Sequence, residues 1–243
     1  MDTAEVVLKM KMDRIMLKLS GEALAGDKKT GFSEETVREV AAQVKKVHDK
    51  GIQIGVVIGG GNFWRGRTSN DMDRVKADQI GMLATVMNAI YTADMFRTFG
   101  MKCHVMTPFL CGSMTELFDR DKAISYLEAG EIVFFAGGTG HPYFSTDMGM
   151  VLYSIEIKAD VILAAKAVDG VYDSDPNKNP DAKKIDSMTM QEIVDKQLKV
   201  IDLAAAVLAA ENKMPMMLFG LNKEDSIVKT VSGDFTGTIV SVD

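Results

Sequence analysis

The chain has 243 residues, of which 47% are hydrophobic and 26% charged, a composition that suits a soluble globular enzyme with a large buried core. Its formal net charge of -6 excludes a general nucleic-acid binder, which needs a net or clustered positive field, but not a protein that binds a small phosphorylated ligand. No apolar run reaches the roughly 18 residues that span a bilayer, and the N-terminus lacks the apolar region of a signal peptide, so we expect a cytoplasmic protein.

In chain order, apolar runs typical of strands alternate with amphipathic segments typical of helices. Strands are predicted at 14–19, 52–58, 102–106, 132–135, 160–164, 216–219 and 238–242. Helices are predicted at 33–50, from residue 80 to near residue 100, at 119–129, after the capping box of Thr189 and Glu192, and at 202–212. This alternation predicts an α/β fold in which helices cover a central, mostly parallel sheet. No linker divides the chain, so we expect a single domain at 13–243 behind an N-terminal arm, residues 1–12, to which the sequence assigns no role.

Glycine-rich segments follow three of these strands. They are Ser20-Gly21 after the first strand, Gly59-Gly60-Gly61-Asn62 after the second, and AGGTG at 136–140 after the fourth. Ligands of open α/β sheets bind beyond the carboxyl ends of the strands, and glycine lets backbone N–H groups approach a phosphate closely. We therefore predict one shared phosphate-binding crevice, with Arg65 beside it because a guanidinium fork matches phosphate oxygens. The P-loop and protein-kinase motifs are both absent.

Lys18 lies near the end of the first strand, where its ammonium group could neutralise charge on a phosphoryl group in transfer. The alternative for a lysine at a strand end is a solvated charge. Four aspartates, Asp78, Asp147, Asp175 and Asp202, are candidates to orient Lys18 or to hold the water molecules of Mg²⁺. Asp147 and Asp202 each precede a helical pattern, so helix capping explains them equally well, and the sequence leaves these alternatives open.

The segment TGHPYFST at 139–146 combines hydroxyl groups, rings and a proline, which suits the binding of a small polar ligand. Trp64 is interpreted as a packing residue, with stacking on a base as the alternative. The three histidines and two cysteines are scattered and form no ligand set, so we expect no transition metal bound by the protein.

With these residues assembled, the chain resembles the bacterial UMP kinases of the amino-acid-kinase family over residues 12–240. The resemblance rests on motifs in the family's order: KLSGEAL at 18–24, GVVIGGGNFWRG at 55–66, ADQIGMLATVMNA at 77–89, GTGHPYFSTD at 138–147, VDGVYDSDP at 168–176 and LKVIDLAA at 198–205. It implies the amino-acid-kinase fold, a three-layer αβα sandwich, and transfer of the γ-phosphoryl group of ATP to UMP in pyrimidine nucleotide biosynthesis. It also implies Mg²⁺ that arrives with ATP, a homohexamer, and inhibition by UTP.

The resemblance assigns roles to residues that match the family's motifs. Contacts to ATP are implied for Lys18, Leu19, Ser20, Gly21, Gly61, Arg65, Lys166, Tyr172 and Asp175. Contacts to UMP are implied for Gly60, Asp78, Thr139, Gly140, His141, Pro142, Tyr143, Phe144, Ser145 and Thr146. Catalytic roles are implied for Lys18, Arg65, Asp147 and Asp202. The family varies around Lys166, which either touches nucleotide phosphate or only ends a strand.

Two other functions are compatible with this fold. One is an amino-acid or carbamate kinase, and the other is a non-catalytic protein that binds a nucleotide or an oxyanion. The segment 138–147 and Asp78 favour a nucleotide acceptor, and the presence of Lys18, Asp147 and Asp202 favours an enzyme. The match is poor along residues 94–121, so activation by GTP stays open.

Overall fold

The computed structural model describes residues 11–64, 72–174, 176, 178–198 and 200–242. Its strands are β1 (Arg14–Leu19), β2 (Gln53–Ile58), β3 (Cys103–Thr107), β4 (Glu116–Leu117), β5 (Ile132–Phe135), β6 (Val161–Lys166), β7 (Val171–Tyr172), β8 (Lys184–Ile185), β9 (Ser187–Thr189), β10 (Met216–Gly220) and β11 (Thr238–Ser241). Its helices are α1 (Gly21–Ala25), α2 (Glu34–His48), α3 (Arg74–Thr98), α4 (Arg120–Glu128), α5 (Thr146–Glu156), α6 (Met190–Asp195), α7 (Leu203–Glu211) and α8 (Ser226–Ser232).

Nine of these strands form one sheet in the order β4-β3-β5-β2-β1-β6-β10-β11-β9. All of its neighbouring pairs are parallel except β10 and β11, which run antiparallel. The prediction of a mostly parallel sheet is therefore confirmed. The short strands β7 and β8 pair separately with each other. The sequence did not indicate them, nor β4, β9, α1 and α8, because elements of so few residues carry too little periodicity.

Two apolar clusters lie on opposite faces of the sheet. One contains Ile15 and Leu17 together with α2, α3 and α8, and the other contains Met16 together with α4, α5, α6 and α7. These clusters and the sheet between them form the three αβα layers. Side chains alternate along a strand, so Lys18 lies on the same face as Met16, the face covered by α5 and α7.

The helix boundaries follow from capping. Ser33 caps α2 by accepting a hydrogen bond from the backbone N–H of Thr36, and the predicted capping box of Thr189 and Glu192 is present at the start of α6. Both helices begin where the sequence placed them.

The long helix α3 has a different exposed face from the one that its apolar pattern indicates. Ile80, Leu83 and Met87 contribute to the periodicity that predicts this helix, yet they are 37%, 52% and 47% exposed. The buried face is mostly apolar but includes the polar side chains of Thr85 and Asn88. This helix therefore carries buried polar groups on its interior face and exposed apolar groups on its outer face. Within the described ranges, no helix is long and apolar enough to cross a membrane.

Candidate active site

The three glycine-rich turns meet at one edge of the sheet because β5, β2 and β1 are consecutive neighbours. The turn after β2 is joined to the end of β1 by a hydrogen bond from the N–H of Gly59 to the carbonyl of Leu19 (3.1 Å). The turn after β5 is held by helix α3, where the Thr85 hydroxyl accepts from the N–H of Gly137 (2.8 Å). The predicted shared crevice is thus assembled by parallel pairing of sequence-distant strands.

Two clefts open at this edge and share a wall. The first, which we call the Lys18 cleft, has a volume of about 260 Å³ and is lined by Lys18, Ser20, Gly21, Glu22, Gly59, Gly60, Gly61, Ser145, Thr146, Asp147 and Asp202. The second, the Asp78 cleft, has a volume of about 200 Å³ and is lined by Gly60, Gly61, Trp64, Arg74, Ala77, Asp78, Gly81, Met82, Thr85, Gly138, Phe144, Ser145 and Thr146. Gly60, Gly61, Ser145 and Thr146 belong to both. A group bound in one cleft therefore faces a group bound in the other across a single glycine turn and a helix N-terminus.

Lys18 forms an ion pair with Asp147 at the centre of the first cleft. Its Nζ lies 2.5 Å from Asp147 Oδ1, and the two side chains are 16% and 19% exposed. Burial alone would raise the pKa of Asp147, but the attraction and hydrogen bond of the Lys18 ammonium, with a further contribution from Lys166, hold that pKa below its usual value. Asp147 is therefore ionised at neutral pH, and the ammonium group is held in the cleft rather than in bulk solvent.

The alternative that Asp147 is only a helix cap is wrong. The cap of α5 is Ser145, whose hydroxyl accepts from the N–H groups of Asp147 (3.2 Å) and Met148 (3.4 Å). Asp202 occupies the capping position of α7, but its side chain makes no capping hydrogen bond, and its backbone contributes to holding the Asp147 carboxylate. Since α5 is 11 residues long and begins beside Lys18, its N-terminal N–H groups and dipole also favour an anion here.

Lys166, the last residue of β6, is a second cation close to this pair. Its ammonium group donates to the carbonyl of Val200, in the segment between α6 and α7 that leads to Asp202. Burial and the neighbouring Lys18 charge lower the pKa of Lys166 to about 8, against the opposing attraction of Asp147. Lys166 therefore binds to the backbone that carries Asp202, and does more than end its strand.

This environment predicts how stability depends on Lys166 and pH. Between pH 8 and 10.5 the folded chain leaves Lys166 neutral while the unfolded chain keeps it protonated. The unfolded state then binds more protons, so the free energy of unfolding rises with pH in this window relative to a Lys166→Met variant, and the difference is flat below pH 8. Chemical denaturation of both proteins from pH 7 to 10.5 measures this difference, and a difference that stays constant with pH would contradict the assignment.

The Asp78 cleft is closed on one side by the segment after β5. Asp78 Oδ2 accepts from Arg74 Nε and from the backbone N–H of Tyr143, both at 2.8 Å. Tyr143 has a left-handed backbone (φ 72°) and its ring lies 5.3 Å from the Arg74 guanidinium. Trp64 donates its indole N–H to the carbonyl of Ala77 (2.8 Å), so it packs against α3 and also lines the cleft. Asp78 thus ties the 139–146 segment to α3 in addition to facing the cleft.

The remaining predicted residues lie at different distances from this edge. Leu19 is fully buried in the core, so only its backbone is placed to face a ligand. Tyr172 donates its hydroxyl to Asp169 Oδ1 (2.6 Å) and lines neither cleft. Thr139, Gly140, His141 and Pro142 precede Tyr143 in the same segment without lining either cleft themselves, and of these four only His141 is exposed. Arg65 and Asp175 lie outside the described residues.

Arg74, Thr85 and Asn88, whose side chains bind other groups of this site, were assigned no role from the sequence. The signal for the first was an arginine four residues before Asp78 on one helix. The signal for the other two was a pair of polar side chains, three residues apart, on a helix that is otherwise rich in small and apolar residues.

Comparison with known proteins agrees with this geometry. The family model described as "Amino acid kinase family" matches residues 13–220. The chain is 47% identical to uridylate kinase of Pediococcus pentosaceus, over 95% of this chain and 97% of the relative, and 47% identical to uridylate kinase of Limosilactobacillus reuteri, over 96% and 99%. Among solved structures, it is similar to the UMP kinase from Bacillus anthracis, with a TM-score of 0.90 and 34% identity over 95% of this chain and 96% of that one. It is also similar to the UMP kinase from Ureaplasma parvum, with a TM-score of 0.89 and 32% identity over 96% and 100%.

Proposed function

This chain belongs to the amino acid kinase family, and we therefore propose that it transfers the γ-phosphoryl group of ATP to UMP, giving UDP and ADP. The observation that carries the proposal is the Lys18–Asp147 pair beside the wall shared by two clefts. A donor in one cleft and an acceptor in the other would meet across Gly60 and Gly61, with an ammonium group alongside. The identity of 47% to two uridylate kinases, over 95% and 96% of this chain, supports UMP as that acceptor.

ATP is assigned to the Lys18 cleft. The turns at Ser20-Gly21 and Gly59–Gly61 offer backbone N–H groups to its phosphates, and the N-terminus of α5 adds a partial positive charge. Arg65 and Lys166 are proposed to add charge around the same phosphates. Leu19 is proposed to contribute its backbone, and Tyr172 and Asp175 are proposed to contact the adenosine.

UMP is assigned to the Asp78 cleft. Asp78 accepts hydrogen bonds, so it suits ribose hydroxyl groups, and Gly60 with Ser145 and Thr146 suits the phosphate. The rest of the 139–146 segment is proposed to hold the uracil, because Asp78 binds that segment through Tyr143 and Phe144 lines the cleft.

The transfer itself requires charge stabilisation and not a general base. A phosphate monoester loses its second proton with a pKa of about 6, so the attacking oxygen of UMP is already ionised at neutral pH. Asp147 is held ionised by Lys18, which suits it to orient the ammonium group. Lys18 then neutralises charge on the phosphoryl group between donor and acceptor. Asp202, through its place beside Asp147, is proposed to keep this arrangement in position.

We propose that Mg²⁺ enters with ATP, where it would neutralise phosphate charge. Asp147 and Asp202 offer carboxylates at the edge of the Lys18 cleft, which suits water-mediated contact with such an ion. Among the described residues there is no group of three or more His, Cys, Asp or Glu side chains placed to hold a metal ion.

We further propose a cytoplasmic homohexamer that UTP inhibits. The exposed apolar face of α3, with Ile80, Leu83 and Met87, suits burial against another subunit. UTP shares its uracil and ribose with UMP, so a cleft that recognises those groups would accept it as a competitor.

An assay of ADP release with UMP, CMP, dUMP, aspartate, acetylglutamate and carbamate as acceptors tests the function. We expect turnover with UMP to exceed that with aspartate, acetylglutamate and carbamate by a large factor, because a small carboxylate or carbamate would leave the Asp78 cleft largely unfilled. Preference for one of those three would identify an amino-acid or carbamate kinase. Nucleotide binding without ADP release from any acceptor would identify a non-catalytic binding protein.

A further inference from the structure

We propose that Thr85 and Asn88 of α3 are positioning residues that hold the glycine-rich turns of the active site in register, a role that rests on the proposed function. They lie one turn apart on the helix, they are 4% and 0% exposed, and each binds a different turn. We call the two side chains, together with Asn62, the α3 clamp.

Asn88 holds the turn after β2. Its Nδ2 donates to the carbonyl of Gly59 (2.7 Å) and to Asn62 Oδ1 (2.7 Å), and its Oδ1 accepts from Asn62 Nδ2 (2.9 Å). Asn62 Nδ2 also donates to the carbonyl of Gly31 (2.8 Å). Each amide NH₂ group faces a backbone carbonyl, so the network permits only one orientation of both side chains. The two asparagines thus form a reciprocal buried pair that fixes the turn wall shared by the two clefts.

Thr85 holds the turn after β5. Its hydroxyl donates to the carbonyl of Met82 (2.7 Å) and accepts from the N–H of Gly137 (2.8 Å), whose left-handed backbone (φ 82°) starts the segment that leads to Tyr143. The hydroxyl therefore uses its donor inside the helix and its acceptor across to the turn. Loss of this acceptor would leave a buried backbone N–H without its hydrogen bond.

The turn after β1 is packed against the same clamp. An atom at the Cβ position of Gly21 would lie 2.5 Å from Asn62 Oδ1 and 2.9 Å from Asn88 Nδ2. All three turns therefore contact the same helix, two of them through hydrogen bonds and the third through close packing. That helix also carries Asp78 of the acceptor cleft. A displacement of a reacting group by about 1 Å can reduce turnover by about 10²-fold. The need to hold the three turns in fixed positions therefore explains why α3 buries the polar side chains of Thr85 and Asn88 where apolar side chains could have packed.

Matched variants of Thr85 separate the contribution of its hydrogen bond from that of its side-chain volume. Thr85→Val keeps the side-chain volume and removes the hydroxyl, whereas Thr85→Ser keeps the hydroxyl. We expect Thr85→Val to raise the KM for UMP by about tenfold or more with a much smaller change for ATP, and Thr85→Ser to stay within about threefold of the wild type. Asn88→Leu should instead weaken binding of both ATP and UMP, because it releases the turn after β2, which lines both clefts.

Binding is measured alongside turnover, by calorimetry of the folded variants with UMP and with the β,γ-imido analogue of ATP plus Mg²⁺. A defect selective for UMP in Thr85→Val that Thr85→Ser recovers, together with a defect for both ligands in Asn88→Leu, would support the clamp. Variants that lose thermal stability yet bind both ligands as the wild type does, or a Thr85→Ser as impaired as Thr85→Val, would overturn it. Turnover of UMP by the wild-type enzyme tests the proposed function separately. If the enzyme uses another acceptor, binding of the ATP analogue by Asn88→Leu still tests the clamp.

Discussion

Lys18→Met is expected to lower kcat for UMP phosphorylation by on the order of 10²-fold or more. The variant keeps the length and apolar stem of the side chain but removes the ammonium group that lies 2.5 Å from Asp147, at the edge where the two clefts meet. Steady-state kinetics with saturating ATP and UMP measure the loss. Turnover close to that of the wild type would remove Lys18 from the mechanism.

The same change also leaves the Asp147 carboxylate buried without its cation. We expect the free energy of unfolding to fall by on the order of 3 kcal/mol at neutral pH, because breaking a buried pair costs more than the pair itself contributes. Adding Asp147→Asn removes the stranded charge. The double variant should therefore regain stability without regaining turnover, and recovery of both together would mean that the pair has only a structural role.

Lys45→Met is the matched control for an ion pair of the same length. Lys45 lies 2.5 Å from Asp49, but on the surface and one turn away along α2. A surface pair of this kind contributes little to stability, because solvent and salt screen its charges. We therefore expect unchanged kcat and almost unchanged stability in this variant.

Gly21→Ala is expected to reduce kcat/KM by on the order of 10²-fold. The added Cβ would lie 2.2 Å from the carbonyl oxygen of Gly59 and within 3 Å of both amides of the α3 clamp. None of these atoms belongs to the free end of a flexible side chain, so the turns after β1 and β2 must separate. We also expect the free energy of unfolding to fall by about 1–3 kcal/mol, as for other overpacked interiors.

Gly51→Ala is the control for the general effect of replacing a glycine. Gly51 has a left-handed backbone (φ 81°) after α2, with nothing within 4 Å of the added Cβ. Its cost is backbone strain alone, about 1 kcal/mol, and turnover should not change. Wild-type kcat/KM in Gly21→Ala, measured beside this control, would show that the turns are not held in contact as described.

The regular elements of the fold follow from local signals. The bounds of β1 and β5 were predicted to the residue, and the helices after Ser33 and Thr189 began where their caps indicated. The long helix α3 was predicted from residue 80, but it begins at Arg74, because its first turns are mostly polar and its cap, Asp73, was not recognised. The order of the strands was not predicted: β11, the last strand along the chain, lies between β10 and β9. Strand existence is encoded locally by hydrophobic pattern, whereas strand order depends on pairing between distant segments.

The candidate site was also predictable only in part from the sequence. By itself the sequence determined the chemistry: a lysine at a strand end, three glycine-rich turns and several aspartates near helix starts. Only the tertiary structure decided their partners. Lys18 and Asp147 are 129 residues apart, and their contact needs the parallel order β5-β2-β1-β6 and the placement of α5 over one face.

Capping and ion pairing are equally compatible with an aspartate near a helix start, so the sequence left Asp147 open. Packing settled it, because Ser145 already caps α5 and burial of the Lys18 ammonium requires a carboxylate nearby. The buried polar residues of α3 could not be recognised from the sequence for a related reason. The partners of Thr85 and Asn88 come from turns 52 and 29 residues away, and no local period reports a contact of that kind.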